Sequence, residues 1–215
     1  MNFRAMLDAL CPTPHRQRTA IELFARDGAM NTVSWADAFG SVVGVDVSRT
    51  YLDQFAVNVP NATTICMDSV AGLKTGHLRK RLQNAAFDLV SADSPQGFYG
   101  NGYCEHFDFF SLLPKLSRPG GFFLFNVNLF PYRPCMLNDA KDDYGMTAAQ
   151  FERWMRIREW IYRGKARLTI EQAVEHYVRK LGKLGCAISA ASWHLRPSAM
   201  PGHPDHILYL LLKRA

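Results

Sequence analysis

The stretch from Thr19 to Thr32 constrains the fold of this chain more than any other. Its first part, Thr19-Ala-Ile-Glu-Leu-Phe-Ala25, is apolar and short, which is typical of a buried strand. It runs into Arg26-Asp-Gly28, a sharp turn signal, and then into residues that are compatible with a helix. A strand that leads into a helix through a glycine turn presents backbone N–H groups to a ligand. Gly28 matters either because a side chain would block the close approach of that ligand or because the turn needs a positive φ.

The composition indicates a globular chain. Hydrophobic residues make up 48% and charged residues 20% of the 215 residues, and the apolar runs are far too short to cross a bilayer. The N-terminal residues 1–10 include Asp8 and predict a short helix rather than a signal peptide. We therefore expect a cytoplasmic protein with a single domain over residues 1–215.

The cysteines and histidines do not predict a metal site. The five cysteines are widely spaced and include no Cys-x-x-Cys pair. Cys104-Glu-His106 and His203-Pro-Asp-His206 bring potential ligands together, but neither group has a third ligand nearby.

Strand and helix patterns alternate up to residue 127. Further strands are predicted at 41–46, 63–67, 87–91 and 121–127, and helices at 31–39, 48–57, 76–84 and 104–115. Ser48 is a candidate cap for its helix. Five strands that alternate with helices through short turns predict a parallel α/β sheet with right-handed crossovers.

The pattern changes after residue 127. Residues 128–147 are irregular, and two helices are predicted at 148–162 and 169–183, the second with Thr169 and Gln172 at its start. The chain ends with two apolar runs, 187–195 and 206–212, which predict a strand pair.

Acidic residues follow three of the predicted strands. Asp46 lies at the tip of the second strand, 18 residues after Gly28, Asp68 follows the third, and Asp93-Ser-Pro-Gln96 follows the fourth. Together with the Glu22–Gly28 turn, this order resembles the class I S-adenosylmethionine-dependent methyltransferases, as does Pro119-Gly-Gly121 before the fifth strand. The resemblance covers about residues 18–127. It implies an α/β, Rossmann-like, mostly parallel sheet of seven strands with an antiparallel terminal strand, and a two-helix insertion before the last strand pair.

The resemblance implies a methyltransferase that uses S-adenosylmethionine. Asp46 would hold the ribose, Asp68 the adenine, and the Glu22–Gly28 turn the methionine portion. The candidate cofactor-binding residues are Glu22, Phe24, Arg26, Gly28, Asp46, Val47, Asp68 and Ser69. A carboxylate after a strand is in many proteins a helix cap or a loop residue, so these roles stay open for Asp46 and Asp68.

Arg26 departs from the family pattern, because it occupies the first glycine position of the acidic-x-x-x-Gly-x-Gly opening. Three alternatives follow. Its guanidinium pairs with the carboxylate of the cofactor, points to solvent, or blocks the pocket. The third alternative would leave a non-catalytic binding protein that kept the fold.

Asp93-Ser-Pro-Gln96 is similar to the Asp/Asn-Pro-Pro-aromatic motif of methyltransferases that act on exocyclic amines of bases. Asp93 and Pro95 match that motif, whereas Ser94 and Gln96 replace a proline and the aromatic residue. The resemblance implies catalytic roles for Asp93, Pro95 and Gln96, and it favours a nucleic-acid base as the methyl acceptor. A small metabolite is the alternative acceptor.

The positive charge is concentrated in the last third of the chain. Residues 151–215 carry 12 Lys and Arg against 5 Asp and Glu. Either these cations form a solvated basic face, or a nucleic-acid partner contacts five of them, Arg153, Arg156, Arg163, Lys165 and Arg167. Segment 128–185 is predicted to cap the acceptor side. Its aromatic residues, Trp154, Trp160 and Tyr162 among them, either provide stacking groups or form the buried face of an amphipathic helix.

Overall fold

The computed structural model describes most of the chain in eight segments. They are residues 3–10, 18–29, 31–92, 98–99, 103–104, 109–130, 147–197 and 207–215, with the backbone alone for 98–99 and 103–104. The helices are α1 (Phe3–Leu10), α2 (Arg49–Asn58), α3 (Ser69–Thr75), α4 (His77–Arg81), α5 (Ala148–Ile161) and α6 (Ile170–Lys183). The strands are β1 (Thr19–Leu23), β2 (Ser41–Asp46), β3 (Ala62–Cys66), β4 (Phe87–Ala92), β5 (Phe98–Tyr99), β6 (Tyr103–Cys104), β7 (Ser117–Asn128), β8 (Ile188–Arg196) and β9 (Ile207–Arg214).

Seven strands form one sheet in the order β3-β2-β1-β4-β7-β9-β8. The first five of these are mutually parallel, while β9 runs antiparallel to β7 and to β8. The chain moves outward from β1 through β2 to β3 and then returns to β4 on the other side of β1. This reversal places the topological switch point between β1 and β4, which is where open α/β sheets bind ligands. The predicted sheet and its antiparallel terminal pair are confirmed.

Two hydrophobic clusters, one on each face of the sheet, contain alternate residues of the strands β1, β2, β4, β7 and β9. Ile21 and Leu23 of β1 belong to the cluster that includes residues of α3, α4 and α6. Ala20 faces the other cluster, together with residues of α1 and α2. Since successive strand residues point to opposite faces, a sheet covered on both faces requires short strands that are mostly apolar, as β1 is.

Side-chain caps define where the main helices begin. The Ser48 Oγ accepts a hydrogen bond from the Tyr51 N–H, as predicted. Thr147 with Gln150, and Thr169 with Gln172, form reciprocal capping boxes at the starts of α5 and α6. Each such cap stabilises its helix by about 1 kcal/mol. The two predicted helices of the insertion are confirmed within one residue at each end.

The predictions of α-helices at 31–39 and 104–115 are wrong in helix type, and one helix, α3, was not predicted. Residues 31–39 form two 3₁₀ turns, Thr32–Ser34 and Ala36–Ala38, because Trp35 leaves helical geometry and packs fully buried against Phe39. Phe110–Lys115 is also a 3₁₀ helix, and it contains Pro114, which lacks the N–H donor of a regular helix.

No helix in the described ranges combines the length and the apolar character that crossing a membrane requires.

Candidate active site

The turn after β1 has left-handed backbone at every second residue. Phe24, Arg26 and Gly28 have φ values of 60°, 49° and 69°. Only glycine adopts this region without strain, so the two other residues each cost on the order of 1 kcal/mol. The chain therefore makes a turn of glycine-type shape with side chains at two of its three left-handed positions.

Hydrogen bonds from neighbouring elements hold this turn in place. The Ala25 N–H donates to the Val45 carbonyl at 3.0 Å, and the Gly28 N–H donates to the Ala25 carbonyl at 3.0 Å. From α2, the Asn58 Nδ2 donates to the Asp27 carbonyl at 2.8 Å. The turn is thus fixed to β2 on one side and to α2 on the other, which offsets its backbone strain.

Gly28 is required by its backbone and by a neighbouring ring. A Cβ at this position would lie 2.7 Å from Cδ2 of Phe55, and a Cβ at Gly44 would lie 2.6 Å from Cε1 of the same ring. Phe55 is fully buried and fills the space between the two glycines. The need for a positive φ at Gly28 is confirmed. Among the described residues, it is the Phe55 ring that approaches Gly28 closely.

Asp46 is the last residue of β2, and its carboxylate is fixed by two backbone donors. Its Oδ2 accepts from the Arg26 N–H and its Oδ1 from the Ser48 N–H, each at 2.9 Å. A carboxylate offers about four lone-pair sites, so each oxygen keeps capacity for another donor. The side chain is buried, while the apolar Val47 beside it is 59% exposed. A fixed acceptor beside apolar surface suits a ligand with hydroxyl groups and a ring.

Asp68 follows β3, the neighbour of β2 in the sheet, and caps α3. Its Oδ1 accepts from the N–H groups of Val70 and Ala71 at 2.9 and 3.0 Å, which is the capping alternative left open for this residue. The neighbouring Met67 N–H donates to the Asp46 carbonyl at 2.8 Å, so the ends of β2 and β3 are joined. Ser69, the first residue of α3, is buried.

Arg26 extends toward α2. Its side chain is exposed, and its Cζ lies 5.4 Å from the centre of the Tyr51 ring, a cation–π geometry. Of the three alternatives for Arg26, this position agrees best with the second, in which the guanidinium points to solvent. The guanidinium therefore lies beside Tyr51 of α2, and it is the Arg26 backbone N–H that contacts the Asp46 Oδ2.

The predicted acceptor segment Asp93, Pro95 and Gln96 lies outside the described residues, directly after the end of β4. Its sheet neighbours carry buried polar side chains, of which the sequence analysis singled out Glu22 alone. Buried polar residues at this edge are Glu22 of β1, Ser91 of β4, and Asn126 and Asn128 of β7. Glu22 and Ser91 are direct neighbours in the register. The sequence does contain a signal for the two asparagines, because they interrupt the otherwise apolar run of β7.

Arg158 attaches α5 to the end of β7. The guanidinium is fully buried, and its Nη2 donates to the carbonyls of Asn128 at 2.8 Å and Ala166 at 3.3 Å. Its Cζ lies 5.4 and 5.0 Å from the ring centres of Trp154 and Tyr162. A buried cation needs such partners, because its desolvation is otherwise costly.

His176 of α6 contacts the same group of side chains. Its ring centre lies 4.7 Å from that of Tyr162. Burial, reinforced by the cations Lys180, Arg179 and Arg163, lowers the pKa of His176 from 6.5 to about 4. The imidazole is therefore neutral at pH 7.

The outer face of α5 carries the cations predicted to meet a nucleic acid. Trp160 is 82% exposed there, whereas Trp154 and Tyr162 are buried. The exposed cations on α5 and on the connection to α6 are Arg153, Arg156, Arg163, Lys165 and Arg167. The amphipathic-helix interpretation therefore holds for two of the three aromatic residues, and Trp160 is the exception.

No protein-family model matches the sequence, and no curated protein is significantly similar to it. Solved structures share its fold. The proposed methyltransferase SMU.776, complexed with SAH, matches with a TM-score of 0.60 and 13% identity over 99% of this chain and 49% of its own. This chain therefore spans about half the length of that protein.

Two other solved structures match over nearly their whole length. An rRNA methylase from Streptococcus thermophilus has a TM-score of 0.53 and 11% identity, and it covers 100% of this chain and 96% of its own. The N-methyltransferase NodS from Bradyrhizobium japonicum WM9 has a TM-score of 0.53 and 13% identity, over 99% of this chain and 91% of its own. At these identities the likeness establishes the fold.

Proposed function

We propose that this chain is an S-adenosylmethionine-dependent methyltransferase. The observation that carries the proposal is the Asp46 carboxylate, oriented by two backbone donors at the tip of β2. It lies beside the left-handed turn that follows β1, at the ligand-binding edge of a sheet whose fold is similar to that of solved methyltransferase structures.

The residues at this edge fit the parts of the cofactor. Asp46 has the acceptor capacity for the two ribose hydroxyls, and the exposed Val47 provides an apolar surface for the adenine ring. Asp68 uses Oδ1 to cap α3, which leaves Oδ2 for the adenine amino group. The turn from Phe24 to Gly28 shapes the methionine end of the site, and Arg26 contributes its backbone there while its guanidinium lies beside Tyr51.

The bound cofactor supplies a methyl carbon activated by the sulfonium. The protein then has to align the acceptor and keep water out. The Asp93 carboxylate would accept a hydrogen bond from an acceptor amine and take up the proton that the amine loses. Pro95 and Gln96 would set the position of the acceptor beside it.

The proposed acceptor is an exocyclic amine of a nucleic-acid base. Two observations support it: the partial Asp-x-Pro match at residues 93–95, and the exposed Trp160 among five exposed cations. Aromatic side chains beside cations bind single-stranded nucleic acids by stacking and charge. The structurally similar rRNA methylase acts, by its name, on a nucleic acid.

Labelled-methyl transfer tests the activity directly. The purified protein is incubated with S-adenosylmethionine carrying a labelled methyl group and with DNA, RNA, protein and metabolite pools in separate reactions. We expect label in the DNA or RNA pool. Label in the metabolite pool alone would support the alternative acceptor, and a folded protein that transfers nothing would contradict the proposal.

Substitution of the exposed tryptophan tests the nucleic-acid surface. Trp160→Ala should weaken binding to single-stranded RNA about tenfold, since one stacked base contributes about 1–3 kcal/mol. Trp193→Ala is the matched control, because Trp193 is 50% exposed on β8, away from the basic helix. Affinity should also fall steeply with salt. Equal effects of the two substitutions would exclude Trp160 from the binding surface.

A further inference from the structure

Three helices on one face of the sheet end with basic residues at the same edge. The helix α4, the 3₁₀ helix Phe110–Lys115 and α6 lead into β4, β7 and β8, which are mutually parallel and start at one edge. Leu78, Leu113 and Leu181 of these helices belong to one hydrophobic cluster, so the three helices cover the same face. Their last turns carry six cations, which we call the basic edge: Arg79, Lys80, Arg81, Lys115, Lys180 and Lys183.

Hydrogen bonds connect the chain segments along this edge. The Phe87 N–H, at the start of β4, donates to the Leu116 carbonyl at 2.7 Å. The Arg214 guanidinium, at the end of β9, donates to the Ser117 carbonyl at the start of β7. Neighbouring strands lie about 4.8 Å apart, so the starts of β4 and β8 are separated by about 14 Å in the strand order β4-β7-β9-β8. The cations extend over a length of this order, which is too long for one small anion to contact them all.

The charge of the basic edge exceeds what the helix ends require. Two side-chain carboxylates are described near these helix ends, and each has a cation of its own: Asp88 lies 3.5 Å from Arg118, and Glu175 lies 3.5 Å from Arg179. Five of the six cations are exposed, and Arg79 is half-buried. A helix C-terminus carries about half a negative charge, so three of them leave the basic edge a positive charge of about four. A row of exposed positive charge suits a polyanion.

We propose that the basic edge holds the phosphate backbone of the nucleic-acid acceptor, apart from the site of methyl transfer; the identity of the partner rests on the proposed base methyltransferase function. The 14 residues of α6 span about 21 Å. This helix runs from the connection that carries Arg163, Lys165 and Arg167 to the basic edge. A nucleic acid that follows α6 meets cations at both of its ends. Phosphate contacts carry no sequence information, so the basic edge anchors the acceptor without selecting its base.

A nucleic acid fits the basic edge better than an anionic membrane does. A helix that lies on a membrane buries a face of large apolar side chains in the lipid. Among the described residues near this edge, Leu184 is the one large apolar side chain that is exposed, at 38%, whereas the exposed Trp160 belongs to α5. Lysines and arginines with little exposed apolar surface between them are typical of contacts to phosphates.

Paired charge removals on two of the helices test this role. The variants are Lys80→Gln/Arg81→Gln on α4 and Lys180→Gln/Lys183→Gln on α6, and all four side chains are exposed. Affinity for a labelled single-stranded RNA, long enough to span α6, is measured by fluorescence anisotropy over a series of salt concentrations. Each pair should weaken binding about tenfold at low salt. It should also make the slope of log K against log salt shallower by about 1.4, since each phosphate contact to a single strand contributes about 0.7.

Arg4→Gln/Arg49→Gln is the matched control, because it removes two exposed cations from α1 and α2 on the opposite face of the sheet. Its RNA affinity and salt slope should stay close to the wild-type values. Basic-edge variants that bind RNA as the wild type does, or a control that weakens binding equally, would overturn the proposal. Binding to phosphatidylserine vesicles in preference to RNA, lost in the same variants, would overturn it in favour of a membrane contact. Two pairs on separate helices keep the test valid if the Tm shows that one variant is not folded.

The outcome for the basic edge is separable from that of the proposed methyl transfer. Asp46 lies at the other edge of the sheet, so the basic-edge variants should bind S-adenosylhomocysteine as tightly as the wild type in calorimetry. Methyl transfer by the wild type, with unchanged RNA affinity in the variants, would overturn the role of the basic edge alone. RNA binding that depends on these cations, in a chain that transfers no methyl group, would contradict the proposed activity and leave the basic edge as a nucleic-acid contact.

Discussion

Alanine substitutions at three glycines distinguish two reasons why a position needs glycine. One is a left-handed backbone, and the other is a neighbouring side chain that leaves no room for a Cβ. Gly28 has a left-handed φ of 69° and faces the Phe55 ring at 2.7 Å from an added Cβ. Gly76 has a left-handed φ of 76° with nothing within 4 Å of that Cβ. Gly44 has no such φ, but its Cβ would lie 2.6 Å from Phe55. Gly28→Ala therefore tests backbone strain and steric overlap together. Gly76→Ala tests strain alone, and Gly44→Ala tests overlap alone.

The expected free energies follow from these contacts. Gly76→Ala should lower the free energy of unfolding by about 1 kcal/mol, the cost of a left-handed alanine. Gly44→Ala should lower it by about 2 kcal/mol, since the buried Phe55 has nowhere to move and overpacking costs about 1–3 kcal/mol. Gly28→Ala combines the two effects and should lower it by about 3 kcal/mol.

Urea unfolding followed by circular dichroism measures these differences, provided that the m-values of the variants agree. In a Phe55→Leu background the overlap should be relieved, so Gly28→Ala should then cost about as much as Gly76→Ala. A Gly28→Ala variant no less stable than Gly76→Ala would refute the placement of Phe55 against the turn.

Three further predictions concern Arg26 in the turn after β1, and His176 and Arg158 in the two-helix insertion. Arg26→Gly should be more stable than Arg26→Ala by about 1 kcal/mol in urea unfolding, because both variants lose the guanidinium and only glycine relieves the left-handed strain; equal stabilities would contradict a φ of 49°. For His176, the folded-state pKa of about 4 lies below the unfolded value of 6.5, so unfolding takes up a proton between these values. Stability should fall by about 2 kcal/mol as the pH drops from 6.5 to 4, and His176→Gln should flatten this part of the pH profile. Arg158→Met should lower the free energy of unfolding by about 2–4 kcal/mol, because two carbonyls lose their donor; an unchanged value would show that the guanidinium does not hold α5 to β7.

The sheet was predictable from the sequence because its strands are short apolar runs bounded by turn residues. Ala20 to Leu23 must be buried on both faces, and only a covered parallel sheet provides this. The helices of the insertion were predictable from Thr169 and Gln172, since a capping box is a local signal. The Asp68 cap gives the same kind of signal, and reading it as an N-cap would have predicted α3.

The remaining errors arise where distant contacts override local preference. Residues 31–39 have helix-compatible composition, but Trp35 is fully buried against Phe39 and Phe3, and the chain turns to place it there. The left-handed conformations of Phe24 and Arg26 have no local signal, because neither residue favours a positive φ. They depend on hydrogen bonds from β2 and α2 that the sequence alone does not reveal.

Calorimetric titration with S-adenosylhomocysteine tests the central claim most directly. The account predicts that the wild-type chain binds and that Asp46→Asn weakens binding by tenfold or more, because a charge-assisted hydrogen bond contributes about 1.5–3 kcal/mol. Asp88→Asn is the control: Asp88 accepts the Thr19 N–H at 2.8 Å at the opposite edge of the sheet, so its loss should leave affinity unchanged. A folded wild-type chain that does not bind, or an Asp46→Asn variant with wild-type affinity, would contradict the account.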